Sequence, residues 1–149
     1  MRPTTWGLAA LLACSAAGPK AWAQAEACTK AEFETVVNEA GAALRDLNRQ
    51  NTPAFQAKLR DLKDKRGWSN DEFLKQAEPF VRDPEIIAYD QKSEGLLNRI
   101  TGAGQQGSSA GAPDCGLLAE LRAAMKELVE TQKAKWVHMF GKINGALAK

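Results

Sequence analysis

The sequence predicts an all-α fold, an up-and-down bundle of about five helices that ends in a long C-terminal helix. Helix-capping motifs recur along the chain, apolar residues repeat at spacings of three and four, and no alternating run of β-branched residues indicates a strand. Cys28 precedes the first predicted helix and Cys115 begins the last. Because a disulfide needs closely spaced Cα atoms, the pair predicts one disulfide joining the starts of these two helices, which then run roughly parallel.

A proline divides the first two predicted helices. The capping box that begins at Thr29 predicts a helix over about 30–50, where apolar residues form one stripe. Pro53 suits the first turn of a second helix, because its missing N–H is not needed there, and the preceding threonine suits the N-cap. Gly67 is expected to end that helix, since glycine adopts a left-handed conformation without a steric penalty.

Two further helix starts follow. Ser69 and Glu72 form a second capping box, which predicts a third helix. Pro79 disfavours helical geometry in the residue before it, so a break or kink is expected there. Asp83 and Pro84 then match the N-cap and the first position of a fourth helix.

The last part of the chain combines a glycine-rich segment with a long apolar stripe. Residues 101–113 contain four Gly, two Ser and two Gln without apolar periodicity, and are interpreted as a flexible linker. The final helix is expected over about 115–147, a length of about 50 Å. Because it is longer than the other predicted helices, the end of its stripe is a candidate for exposed apolar surface. This candidate interaction surface consists of Trp136, Met139, Phe140 and Ile143.

The first residues indicate export. Residues 1–23 are typical of a cleaved signal peptide, with Arg2 at the start, a short apolar stretch, and Ala21-Trp22-Ala23 as the cleavage site. The expected mature chain, 24–149, is one helical domain. An alternative is lipoprotein processing, in which Cys14 would be acylated and would anchor the chain to a membrane.

Charge and cysteine usage limit the partners and the compartment. Loss of Arg2 and Lys20 with the signal peptide leaves 18 basic and 18 acidic residues. A neutral balance argues against nucleic-acid binding, which needs a basic excess. No transmembrane segment is predicted in the mature chain. The chain resembles small exported helical proteins of Gram-negative bacteria, and a disulfide implies an oxidising compartment, so a periplasmic or secreted location is expected.

No pattern in the sequence predicts catalysis, a metal site or a cofactor. His138 is the only histidine and is interpreted as a hydrogen-bonded or partly exposed surface residue. Two cysteines and one distant histidine fall short of the four ligands of a structural zinc site. One segment is strongly basic, and is either a solvated helix face or a docking patch for an acidic partner. The patch consists of Lys58, Arg60, Lys63, Lys65 and Arg66.

These observations favour a non-enzymatic function. The first expectation is a periplasmic binding, adaptor or chaperone-like module for an unknown envelope protein, or self-association, through the end of the last helix. The alternative is a carrier that holds a small apolar ligand in a cavity between helices, for which a pocket of several hundred Å³ would be the expected sign. An enzyme is the third hypothesis, and no convergent set of residues favours it.

Overall fold

The computed structural model describes residues 28–112 and 114–149. In these residues it contains four helices and no strand: α1 (Lys30–Arg66), α2 (Asn70–Val81), α3 (Pro84–Ser109) and α4 (Cys115–Leu147). Within this part of the chain, none of the helices is long and apolar enough to span a membrane. The predicted signal peptide, its cleavage site and Cys14 lie outside the described residues.

The predicted division at Pro53 is wrong, and α1 continues through it as one helix of 37 residues. A proline inside a helix costs about 3 kcal/mol. Burial of Phe55 and Leu62, which pack with α4 side chains, contributes about 1.5–3 kcal/mol each. The burial of these two side chains against α4 is therefore large enough to offset the cost of the proline in the continuous helix. The bundle therefore has four helices where the sequence predicts five.

The predicted linker is also shorter than expected, because residues 101–109 continue α3. The neighbouring helices explain this extension. Ala103 packs against the core, and a Cβ atom added to Gly107 would lie 3.2 Å from Phe33 Cε1 and 3.4 Å from Leu117 Cδ2. The missing side chain thus lets Phe33 of α1 and Leu117 of α4 approach the α3 backbone closely. These contacts offset the roughly 1 kcal/mol by which glycine disfavours a helix.

The predicted disulfide is confirmed, and α1 and α4 run parallel as expected. Cys28 and Cys115 are bonded, with their Cα atoms 5.0 Å apart. At the other end, Arg66 Nη2 donates a hydrogen bond to the Ala146 carbonyl at 3.2 Å. Because α1 is longer than the 33-residue α4, it accompanies α4 from its first turn to its last.

Helix α4 supplies most of the core, with α1 packed along it in parallel and α3 in antiparallel orientation. Asp83, which caps the start of α3, contacts Lys142 near the end of α4, and Gly107 near the end of α3 lies close to Leu117 at the start of α4. The short α2 connects α1 to α3, and the flanking Trp68 packs against the same core. The buried residues of α4 are Leu118, Leu121, Ala124, Met125, Leu128, Val129, Thr131, Met139 and Ile143.

The turn between α1 and α2 follows the predicted local rules. Gly67 has a φ of 65° and ends α1 in the left-handed conformation. The Ser69 N–H donates to the Glu72 carboxylate at 2.8 Å, and the Glu72 N–H donates to Ser69 Oγ at 3.3 Å. The bond from the Ser69 backbone lowers the pKa of Glu72. Helix α2 passes Pro79 and ends at Val81, beyond the predicted break.

Candidate functional site

The predicted interaction surface on α4 belongs to the core. Met139 is buried and Ile143 is 0% exposed, while Trp136 and Phe140 are half buried. Phe55 of α1 covers the two aromatic rings in edge-on contacts, with ring centroids 5.9 Å and 5.5 Å away. Met139 and Ile143 therefore do not form exposed apolar surface, and Trp136 and Phe140 are exposed only in part.

Three residues of the predicted basic patch contact the helix ends. Lys65 and Arg66 donate to the carbonyls of Leu147 and Ala146 in the last turn of α4, where positive charge is favourable. Lys63 donates to Asn70 and lies over a phenylalanine ring. These contacts show that the three side chains help to hold the helix ends together. Lys58 is half buried and Arg60 is exposed, and the docking-patch hypothesis now depends on these two residues.

His138 belongs to a polar cluster where α3 begins against α4. We call this cluster the polar clamp; it consists of Asp83, Glu85, His138 and Lys142. His138 Nε2 lies 2.9 Å from Asp83 Oδ2, and its Nδ1 lies 3.1 Å from Glu85 Oε2. Lys142 Nζ contacts Asp83 Oδ2 as well. The other Asp83 oxygen accepts the Ile86 N–H at 2.7 Å, which caps α3.

The polar clamp attaches the start of α3 to α4 through the contacts of Asp83 with His138 and Lys142. The hydrogen bond from the Ile86 backbone, followed by those from Lys142 and His138, holds the pKa of Asp83 far below its usual range. Among the described residues, His138 has no hydroxyl or thiol partner that could act as a nucleophile. Within the same residues, no group of three or more His, Cys, Asp or Glu side chains is placed to bind a metal ion.

The polar clamp predicts a pH dependence of stability. Because the pKa of Asp83 is lowered in the folded state, its stabilising effect is fully present above the ordinary Asp pKa of about 3.9 and is lost as the pH falls below it. Asp83→Asn should lower the Tm by several degrees at neutral pH, with a smaller difference from wild type in strong acid. Thermal melts across pH, with exposed Asp46→Asn as the control, measure this. Equal Tm differences for Asp83→Asn at every pH would contradict the prediction.

A groove lies near the disulfide, between the first turns of α1 and the last turns of α3. We call it the α1–α3 groove. Its volume is about 610 Å³. Its lining consists of Lys30, Phe33, Glu34, Val37, Asn38, Gly104, Gly107, Ala110, Gly111, Ala112 and Leu121.

The groove follows from the residue types of its walls. Phe33 and Val37 are four residues apart on α1, so they lie one turn apart on the same face. The facing α3 residues are small, so their side chains leave part of the space beside α1 unfilled. Leu121 of α4, which is 1% exposed, borders the groove from the core. Val37 is 44% exposed, so part of this apolar wall faces solvent.

One edge of the groove is polar. Lys30, Glu34 and Asn38 follow one another at intervals of four residues and therefore share an edge of α1. The Lys30 and Glu34 side chains are exposed, and among the described residues neither forms an ion pair. The groove thus combines an apolar interior with one positive and one negative charge at its rim.

The sequence predicts that a cavity between helices is possible, but it does not predict which residues line the cavity. The alternative hypothesis of an interhelical cavity assigns the cavity to no particular helices. The glycine-rich stretch that forms one wall reads as a linker by composition, so its pairing with Phe33 and Val37 is missed. The usable signal is the spacing of three between Gly104 and Gly107, which places them on one face of a helix.

Comparison of the sequence with protein-family models and curated proteins, and of the fold with solved structures, finds no match.

Proposed function

We propose that this protein is an exported, non-enzymatic binding protein that holds a small apolar ligand in the α1–α3 groove. The observation that carries the proposal is the groove's volume of about 610 Å³ together with its lining. Ligand sites in proteins typically have volumes of about 300–1,000 Å³, with mostly apolar walls and a few polar groups. The groove has this combination, with Phe33, Val37 and Leu121 inside and charged residues at the rim.

The burial of the α4 residues weakens the rival proposal of an adaptor or chaperone-like module. That hypothesis depended on exposed apolar surface around Met139 and Ile143, and both side chains are core residues. Among the described residues, the large apolar side chains with the highest exposed fractions are Leu74 on α2 and Val137 on α4, at 73% and 72%. Isolated exposed apolar residues are common on soluble proteins and need no partner. The ligand carrier is therefore the better supported function.

The proposed location is the periplasm or the extracellular space. The disulfide between Cys28 and Cys115 supports it, because disulfides persist mainly in oxidising compartments. Both cysteines border the groove end of the molecule, so the same bond would hold the first turn of α1 in place beside the ligand.

A fluorescent apolar probe tests the proposal. N-phenyl-1-naphthylamine, titrated into the exported protein, should bind with increased fluorescence. Gly104→Phe should weaken probe binding by about tenfold, equivalent to about 1.4 kcal/mol, because the ring occupies the groove. A Cβ atom at Gly104 meets nothing within 4 Å, so the substitution fits the fold.

Gly95→Phe is the matched control. Gly95 also lies in α3, is exposed and is outside the groove, and a Cβ atom added there would likewise meet nothing within 4 Å. This variant should bind the probe like the wild type. The proposal fails when the probe does not bind the wild-type protein, or when both phenylalanine variants bind it equally well.

A further inference from the structure

We infer that the ligand of the α1–α3 groove is a single-chain amphiphile with a zwitterionic head group, whose anionic group binds Lys30 and whose cationic group binds Glu34. The inference rests on the proposed function and specifies the chemistry of its ligand. It is carried by the placement of two opposite charges, with no ion-pair partner among the described residues, along the edge of an apolar groove.

The spacing of the two charges suits a dipolar head group. Lys30 and Glu34 are separated by four residues, which is a rise of about 6 Å along α1. Side chains four residues apart on a helix often pair with each other, yet no ion pair joins these two in the described part of the chain. A ligand with one positive and one negative group can therefore engage both. Asn38, one turn further on, adds an amide donor and acceptor to the same edge.

The apolar chain has a path beside these charges. Phe33 and Val37 stand next to Lys30 and Glu34 on α1, so a head group at the edge places its chain against these two side chains. The opposite wall contains Gly104, where an added Cβ atom would meet nothing within 4 Å, so the chain can approach the α3 backbone there. A molecule with both parts thus matches the polar edge and the apolar interior together.

Other head groups match the edge less well. An anionic head group is attracted to Lys30 but repelled by the carboxylate of Glu34. A cationic head group is attracted to Glu34 but repelled by the ammonium group of Lys30. An uncharged head group engages neither charge. Because exposed ion pairs are weak, we expect a preference of about fivefold for the zwitterion over each of these.

Four twelve-carbon amphiphiles, used below their critical micelle concentrations, test the inference. Isothermal titration calorimetry with the exported protein compares dodecylphosphocholine with dodecyl maltoside, dodecanoate and dodecyltrimethylammonium. Dodecylphosphocholine should bind about fivefold more tightly than the other three. Equal affinities for dodecylphosphocholine and dodecyl maltoside would overturn the head-group inference and leave the groove as the binding site.

Charge reversals give the second arm of the test. Lys30→Glu leaves two acidic groups at the edge and should shift the preference to dodecyltrimethylammonium, whereas Glu34→Lys should shift it to dodecanoate. Arg60→Glu is the matched control, because Arg60 is exposed on α1 outside the groove. Preferences that do not change in either groove variant would also overturn the inference. Failure of every amphiphile and of the naphthylamine probe to bind would instead contradict the proposed function.

Discussion

Replacement of Ile143 by alanine should lower the free energy of unfolding by about 2–5 kcal/mol, because it removes buried methyl groups and leaves a cavity. Ile143 is 0% exposed and packs in one cluster with Phe55, Leu62, Ile86 and Met139. Denaturation in guanidinium chloride, followed by far-UV circular dichroism, measures the change.

Val137→Ala is the control for this substitution. Val137 lies on the same helix but is 72% exposed, so its truncation should change the free energy of unfolding by no more than about 0.5 kcal/mol. The two variants distinguish a core position from a docking position on α4. Unchanged stability in Ile143→Ala would contradict its assignment to the core.

Loss of the disulfide should have an effect of similar size. Cys28 and Cys115 are 87 residues apart in sequence. On the chain-entropy model, the double variant Cys28→Ser/Cys115→Ser loses about 4–5 kcal/mol, and removal of native disulfides typically costs about 2–5 kcal/mol. The same denaturant titration measures this loss.

The wild-type protein under reducing conditions serves as the control for the double variant. The two samples should unfold at the same denaturant concentration, because both lack the constraint on the unfolded chain. A loss below about 1 kcal/mol, outside the usual range for native disulfides, would contradict a stabilising role for this bond.

Local sequence signals predict the helix starts well. Thr29, Ser69 and Asp83 each accept a hydrogen bond from the backbone N–H three residues later, as their spacing indicates. The cysteine pair predicts the parallel arrangement of α1 and α4. Both kinds of inference succeed because they depend on few residues. A cap forms hydrogen bonds within one helical turn, and a disulfide fixes the distance between the Cα atoms of its two cysteines.

The continuity of α1 could not be predicted from its local sequence. Asn51, Thr52 and Pro53 favour a helix start, but Phe55 packs against Trp136 and Phe140, which are more than 80 positions away in the chain. The expectation of exposed surface on α4 depended on this division, because α4 is the longest helix only when α1 is split. As one helix, α1 has 37 residues against 33 in α4.

The groove could not be predicted either, because it also depends on contacts between residues that are distant in sequence. Gly104 and Gly107 have low intrinsic helix propensity, and the contacts that hold this part of α3 come from Phe33 of α1 and from Leu117 of α4. Once the segment is helical, its small residues face Val37 and leave the space between the helices open. Composition alone therefore indicates a linker where tertiary packing forms the wall of the proposed binding site.

An amide chemical-shift titration tests ligand binding in the α1–α3 groove most directly. Isotope-labelled protein is titrated with dodecylphosphocholine below its critical micelle concentration, and shifts are followed for each residue. We expect the largest changes at Phe33, Val37, Gly104 and Gly107, with Leu74 unaffected. Changes centred on α2, spread evenly over the molecule, or absent at saturating amphiphile would contradict binding in the groove.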